Sequence, residues 1–351
     1  MTERADRGAI ILAAGLGTRM KSERAKVLHE VFYRPMIAHV AGTVLQAGVT
    51  RVVCVIGHQK EAVQAALAGL PVGTAVQAEQ KGTGHAVLCA QAACAGLTEI
   101  LILCGDTPLL RPETLSAMLA QHRQHRPALT LMTTKVARPY GYGRILRAED
   151  DGVAAIVEEK DATKVERLIT EINAGVYLAE AAFLFSALAR VDMNNSQAEM
   201  YLTDIVAIAR RSGQQVQPFF HDQPQDVLGV NSRVELAQAE AILQERRNME
   251  LMRAGVTMLH PATTRVEPGC ELGRDCILHG QVSIERGSSL GQGCVVEQGV
   301  VLRRCVLGER VRVGAYSVLE GCRLESGLEV RRGLRCHHRT ASLVLLVSLI
   351  K

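Results

Sequence analysis

The residues from Gly8 to Met20 read Gly-Ala-Ile-Ile-Leu-Ala-Ala-Gly-Leu-Gly-Thr-Arg-Met, and Lys26 follows six positions later. An apolar run ends in small residues, turns through Gly15 and Gly17 and arrives at Arg19. Small residues let backbone N–H groups come close to a polyphosphate. Arg19 and Lys26 then supply the positive charge that a triphosphate needs. Two other glycine-rich loops are excluded. A P-loop ends Gly-Lys-Ser/Thr, whereas this loop ends Gly-Thr-Arg. A dinucleotide fingerprint needs a third small residue where Met20 stands and an acidic residue after the second strand, which here ends Ile56-Gly57-His58.

Further segments carry groups suited to the same chemistry. Gln77 to Ala86 holds Gln77 and Gln80, then Gly82-Thr83 opening a helix; amides read donors and acceptors on a pyrimidine edge. Gly105-Asp106 follows an apolar strand, and a carboxylate there suits Mg²⁺. Gly141-Tyr142-Gly143-Arg144, Glu158 to Asp161 and Glu171-Ile172-Asn173 offer carboxylates, amides and glycine N–H groups of the kind sugar hydroxyls require. Asn194 to Asp204 is a polar loop before a helix, and Gly229-Val230-Asn231 closes the region. Each segment alone is also compatible with an ordinary turn or helix cap.

The elements that position these groups are legible from periodicity. Ile10–Ala14, Arg51–Ile56, Thr74–Gln77 and Ile100–Leu103 read as strands. Pro35–Gln46, Gln59–Leu67, Thr83–Cys94 and Pro112–His122 read as the intervening helices. Such alternation implies an α/β fold with a mostly parallel sheet, whose ligands bind beyond the carboxyl ends of the strands. Ser232 to Met252 reads as one long helix stopped by Gly255.

The period then changes. Val266, Leu272, Leu278, Ile284, Leu290, Val296 and Leu302 stand six apart, and after a shorter step to Leu307 the spacing resumes at Val313 and Leu319. Small or β-branched residues follow four positions later, among them Cys270, Cys276, Val282, Ser288 and Cys294. This is the hexapeptide signature of a parallel β-helix, and it assigns those cysteines to packing. The expected domains are 1–229, a linker helix 230–255, a partial β-helix 256–330 and a tail 331–351.

Composition narrows the functional class. The 351 residues are 48% hydrophobic but only 3% aromatic, so the cores are aliphatic. A net charge of +4 without a dense basic block argues against nucleic acid. Ten cysteines without a Cys-x-x-Cys pair disfavour a zinc ribbon and suit a reducing cytoplasm. No signal peptide or membrane span is read, the apolar stretch Ala341 to Ile350 being too short to cross a bilayer.

Taken in register, the motifs at Leu12 to Met20 with Lys26, Gln77 to Ala86, Gly105-Asp106, Gly141 to Arg144, Glu158 to Asp161, Glu171 to Asn173 and Gly229 to Asn231 resemble the bacterial bifunctional enzymes that make UDP-N-acetylglucosamine. That family joins a uridylyltransferase (pyrophosphorylase) domain to a glucosamine-1-phosphate acetyltransferase domain. The resemblance implies a Rossmann-like nucleotidyltransferase domain followed by a left-handed parallel β-helix, here truncated. It implies that Leu12, Ala13, Ala14 and Gly15 contact the uridine nucleotide and that Arg19 and Lys26 act on its phosphates. Gln77 and the Gly82-Thr83 pair would read uracil, and Gln80 would contact the substrate. Gly105, Gly143, Glu158, Asn173, Tyr201 and Thr203 would line the substrate, and Asp106 and Asn231 would hold Mg²⁺. The substrates implied are UTP and N-acetylglucosamine 1-phosphate, the products UDP-N-acetylglucosamine and pyrophosphate, and the setting cell-wall and lipopolysaccharide precursor synthesis.

The family's β-helix runs further than this chain, and its acetyltransferase residues lie in those later coils. After Val330 this sequence reads Arg-Arg-Gly-Leu-Arg-Cys-His-His-Arg and then an apolar tail, which resembles a change of reading frame. Loss of acetyl transfer is therefore expected, as is weakening of the family's trimer. Two rival readings are a pyrophosphorylase for another sugar nucleotide, ADP- or dTDP-linked, and an inactive assembly or regulatory subunit.

Overall fold

The structure is a computed structural model that describes residues 6–337 and the short strand Thr340–Ala341. The chain divides into two compact units, residues 1–236 and 237–351. In the first unit the elements run β1 (Arg7–Ala13), a hairpin of β2 (Glu30–Val31) and β3 (Arg34–Pro35), α1 (Met36–Gln46), β4 (Arg51–Ile56), α2 (Lys60–Ala66), β5 (Val72–Val76), α3 (Thr83–Cys89), β6 (Glu99–Cys104) and α4 (Pro112–His125). They continue as β7 (Leu129–Lys135), β8 (Arg144–Arg147), β9 (Val153–Val157), β10 (Glu171–Glu180), α5 (Ala181–Leu188), α6 (Asp204–Arg211) and β11 (Val216–Phe220); α7 (Arg233–Arg253) begins in the first unit and runs mostly in the second.

The main sheet has the order β11-β7-β10-β6-β1-β4-β5, with β8 and β9 attached through β10. Its pairs are parallel except along β10, which runs antiparallel to β6 and β7, and in the β8–β9 ribbon. Alternate residues of each central strand enter different cores. Ile10, Val53 and Ile102 pack under α3, α5 and α6, while Ile11, Cys54 and Leu103 pack under α1, α2 and α4. A strand buried on both faces must be apolar throughout, which is why β1, β4 and β6 read as continuous runs rather than alternating ones. The expected helix Thr83–Cys94 is shorter: α3 ends at Cys89, and Ala92–Cys94 is a separate 3₁₀ turn. Ala90 N–H bonds Val87 O and Gln91 N–H bonds Leu88 O, the tighter pattern with which helices commonly end.

The second unit stacks two- and three-residue strands into three five-stranded parallel sheets, the three walls of a β-helical prism. Val266, Leu278, Ile284, Val296, Leu302 and Val313 point inward and are fully buried, as the six-residue spacing requires. Cys270, Cys276, Ser288 and Cys294 fill the corners. The coils run past the expected limit at Val330. Arg335–His337 pairs with Val318–Glu320, and Thr340–Ala341 pairs with Arg323–Leu324. The period persists there in disguise: Cys336 follows Val330 by six residues and takes an inward place opposite Leu319, and Leu334 takes the corner. A thiol where an aliphatic residue is customary hides the repeat from a hydrophobic scan. The apolar stretch Ser342 to Ile350 lies outside the described residues.

Glycines inside the coils are required by contact between turns. A Cβ on Gly291 would lie 2.7 Å from the backbone of Gly308 and Glu309 in the next coil. Backbone cannot rotate aside as a side chain can. Gly291→Ala is expected to cost the second unit about 1–3 kcal/mol, the usual range for overpacking. Thermal unfolding checks this, and an unchanged melting profile would contradict the close packing of coils.

Candidate active site

The sheet changes direction of growth at β1. Strands β4 and β5 add on one side through α1 and α2, and β6 adds on the other. Loops leaving the carboxyl ends of β1 and β6 therefore diverge and leave a crevice, the usual ligand position in such sheets. Leu12 is in register with Cys104, and Gly105 N–H bonds Leu12 O at 2.8 Å. This register brings the glycine loop after β1 beside Asp106 after β6.

Gly17 adopts a left-handed φ of +66°, and a Cβ there would collide with the Lys26 side chain. Met20, 1% exposed, anchors the turn between Arg19 and Lys26 in the core, which explains a large residue at that place. Ala13 and Ala14 are buried and Gly15 is exposed. The Lys26 ammonium donates to Asp106 Oδ2 and, at 3.0 Å, to Asn231 Oδ1. Arg19 Nη2 donates to the same amide oxygen at 2.8 Å. A carboxylate and an amide oxygen thus converge on one positive charge. Among the described residues no group of three His, Cys, Asp or Glu side chains could hold a metal. A cation held by Asp106 and Asn231 would take its remaining oxygens from phosphates and water, as Mg²⁺ commonly does, and the donor set fits it.

Next to this cluster lies a cavity of about 200 Å³ lined by Arg19, Asp106, Gly143, Glu158, Asn173 and Thr203 among others. Glu158 accepts a hydrogen bond from Thr203 Oγ1 at 3.1 Å. Burial raises its carboxyl above the ordinary range, with the Thr203 bond working the other way. Asn173 sits where β10 bulges against β7, and Gly175 in the bulge has a φ of +72°. Bulges re-aim side chains beside active sites, and here Asn173 Nδ2 reaches the Tyr177 hydroxyl at 2.6 Å. Burial pushes the Cys104 thiol and the Tyr142 phenol each up to about 12, so both stay protonated near neutrality.

A second cavity, of about 570 Å³, opens along the same edge between Leu16, Gly57, Gln77, Ala78 and Gln80. Gln80 Nε2 donates to Ala14 O at 2.6 Å, tying this segment to the glycine loop. Gly82, with φ +101°, packs so closely on Met200 that a Cβ would lie 2.5 Å from its carbonyl oxygen. Thr83 Oγ1 accepts from Leu202 N–H at 3.0 Å. The groups expected to face base and sugar are therefore joined through the loop 194–204. Tyr201 does not itself line either cavity: it is buried, and its hydroxyl accepts from Gln197 Nε2 at 2.8 Å.

This geometry has relatives. The description of a MobA-like NTP transferase domain matches residues 9–258. A Bifunctional protein GlmU from Syntrophotalea carbinolica is 47% identical over 317 residues, covering 90% of this chain and 68% of that protein. The chain belongs to the GlmU family. A second relative of the same name, from Desulfotalea psychrophila, is 47% identical and is matched over 93% of its length; a third, from Geobacter metallireducens, is 48% identical and is matched over 64%. In fold, the chain is similar to a crystal structure described as a glucose-1-phosphate thymidylyltransferase from Bacillus anthracis, with a TM-score of 0.54, 18% identity, and coverage of 67% of this chain and 94% of that one. The first unit of this GlmU-family chain is a nucleotidyltransferase domain.

Three supports of the site escaped the sequence reading. Gln59 accepts from Ala25 N–H at 2.8 Å and donates to Glu23 O at 2.9 Å, clamping the segment that presents Lys26. Ser232 Oγ accepts from Glu235 N–H and so caps the start of α7, and Glu235 accepts from the Ser232 hydroxyl and, at 2.7 Å, from Asn231 N–H, fixing that residue. The Ser-x-x-Glu spacing was a visible signal. Arg144, 2% exposed, donates to Tyr142 O and pairs with Glu159 at 2.6 Å, and Glu159 also holds Gly141 N–H. Both residues stand in motifs the sequence singles out, but nothing local there marks that they pair.

The raised Glu158 carboxyl has a consequence for stability. Between the ordinary value of 4.5 and its raised native value, the folded state holds more protons than the unfolded one, so stability falls as pH rises through that window. Glu158→Gln keeps the oxygen that Thr203 bonds and removes the charge. The variant is expected to melt above the parent at pH 8, with the gap closing near pH 4. A gap of the opposite sign, or one indifferent to pH, would refute the assignment.

Proposed function

We propose that the first unit transfers a uridylyl group from UTP to N-acetylglucosamine 1-phosphate, releasing pyrophosphate. The observation that carries the reading is the convergence of Arg19, Lys26, Asp106 and Asn231 at the carboxyl edge of β1 and β6. The relatives' shared name and their identity of 47–48% support the sugar-nucleotide class. Uridine and N-acetylglucosamine rest on the motif resemblance at Gln77 to Thr83 and at Gly143, Glu158, Asn173, Tyr201 and Thr203.

The attacking sugar-phosphate oxygen is already anionic, so the reaction needs no general base. Accordingly the site holds protonated Cys104 and Tyr142 beside a buried carboxyl rather than a poised nucleophile. The task left to the protein is to hold two anions in line and spread the developing charge. Lys26 and Arg19 leave their present oxygens for the triphosphate, Arg19 on the departing pyrophosphate. Asp106 and Asn231 would hold Mg²⁺, which when bound neutralises phosphate charge and orients the reacting groups. Gly143, Asn173 and Glu158 border the cavity in which the sugar would sit, where Glu158 offers an oxygen acceptor already bonded to the Thr203 hydroxyl. All ten cysteines are free thiols, and no helix among the described residues is long and apolar enough to cross a membrane; both suit a cytoplasmic biosynthetic enzyme.

Pyrophosphate release from UTP, Mg²⁺ and N-acetylglucosamine 1-phosphate tests the reading, with ATP and dTTP as alternatives. Preference for UTP supports it; release only with another nucleotide transfers the assignment to another sugar nucleotide, and no release with any leaves the regulatory-subunit reading. The same preparation, assayed for acetylation of glucosamine 1-phosphate, tests the expected absence of that second activity. Asp106→Ala is expected to abolish uridylyl transfer with the fold intact, and normal turnover at ordinary Mg²⁺ would contradict its role. Arg19→Ala should lose about a hundredfold or more in kcat, the scale of comparable charge contacts.

A further inference from the structure

Outward arginines on the middle coils of the prism are matched by carboxylates. Arg303 pairs with Glu285 at 2.9 Å, Arg312 with Glu297 at 2.9 Å, and Arg304 with Glu320. The pattern breaks in the last coils. Arg323, Arg331, Arg332 and Arg335 are exposed, and among the described residues no carboxylate pairs with any of them. Arg323 stands on one wall, in register with Thr340, and Arg335 on a second, in register with Val318. Arg331 and Arg332 form the turn between Glu329–Val330 on the third wall and Arg335. Positive charge therefore rings the end of the prism. Beyond Glu320 the sequence adds six Arg or Lys and only two acids, Glu325 and Glu329. Within that region Ser342 to Ile350 holds seven aliphatic residues in nine.

We propose that the last coils and the apolar run that follows them form a docking surface for an anionic lipid bilayer. Unmatched arginines attract any polyanion, but the apolar run selects among polyanions. A nucleic acid gives aliphatic side chains nothing to be buried in, and no aromatic residue follows Tyr316 to stack on bases. An anionic bilayer takes both groups. Basic side chains gain from its surface potential, and aliphatic ones from the boundary of its hydrocarbon. Stable attachment needs two such signals, and both occur together here. Nine residues are too few to cross a bilayer, so the protein docks on one face of it. The surface uses none of the residues of the phosphate site.

Flotation of the full chain tests this, with vesicles of phosphatidylcholine alone and with about 30% phosphatidylglycerol added. The anionic vesicles are expected to bind about tenfold or more tightly at low salt, and to lose that advantage near about 0.5 M salt, where surface charge is screened. A basic residue close to such a surface is worth roughly fivefold in binding. Arg331→Gln combined with Arg332→Gln is therefore expected to weaken anionic-vesicle binding about tenfold or more. Leu345→Ser combined with Leu346→Ser is expected to weaken it by at least about tenfold through lost apolar burial. Both double variants are expected to melt as the parent does. Absence of flotation with anionic vesicles overturns the proposal. So does equal binding to the two kinds of vesicle, which assigns attachment to apolar contact alone. Unchanged binding in either double variant overturns it as well. Duplex DNA that binds as tightly as the anionic vesicles, with no response to the leucine substitutions, reassigns the basic rim to nucleic acid.

Discussion

Lys26 donates to a carboxylate 80 residues along the chain and to an amide oxygen 205 residues along it. Arg19 joins at the same amide oxygen. Partly buried charges so arranged are weak contributors to stability, because their desolvation offsets most of their attraction. Their use is geometric. Lys26 and Asp106 hold each other at the phosphate site before any phosphate arrives, so the charges have only to exchange partners when it does. The register of Leu12 with Cys104 and the glycine at position 17 exist in service of that meeting: the first brings the loops together, and the second lets the lysine pass.

Around this contact the backbone is clamped by side chains that need touch no substrate. Gln59 holds the segment before Lys26, Glu235 holds Asn231, and Arg144 with Glu159 holds the turn at Gly141 to Gly143. Site residues on loops are only as precise as such supports. The three clamps draw on different resources: an amide, a helix cap and a buried ion pair. Each satisfies backbone groups that the loops would otherwise leave unpaired.

The second unit obeys a simpler rule. Each coil repeats the one below, so an inward residue meets its equivalent in the next turn, as Leu319 meets Cys336. The hexapeptide period made this unit legible in detail. It failed only where a thiol replaced an aliphatic residue and the repeat was read as ended. Glycines such as Gly291 mark where coils touch through backbone alone.

The amino-acid order by itself determined the class of fold, the βαβ alternation, the β-helix and the glycine loop with its two cations. Those features are local or periodic, and burial on both faces of a strand or inside a prism writes itself directly into composition. The order also supplied the motifs of the candidate site, but not how they meet. That Lys26 lies between Asp106 and Asn231 and that Gln80 ties itself to the glycine loop at Ala14 depend on contacts between residues far apart in the chain. The same holds for the buried surroundings that raise Glu158. Hydrogen-bond partners and desolvation are properties of neighbours in space, and only the tertiary structure decides who those neighbours are.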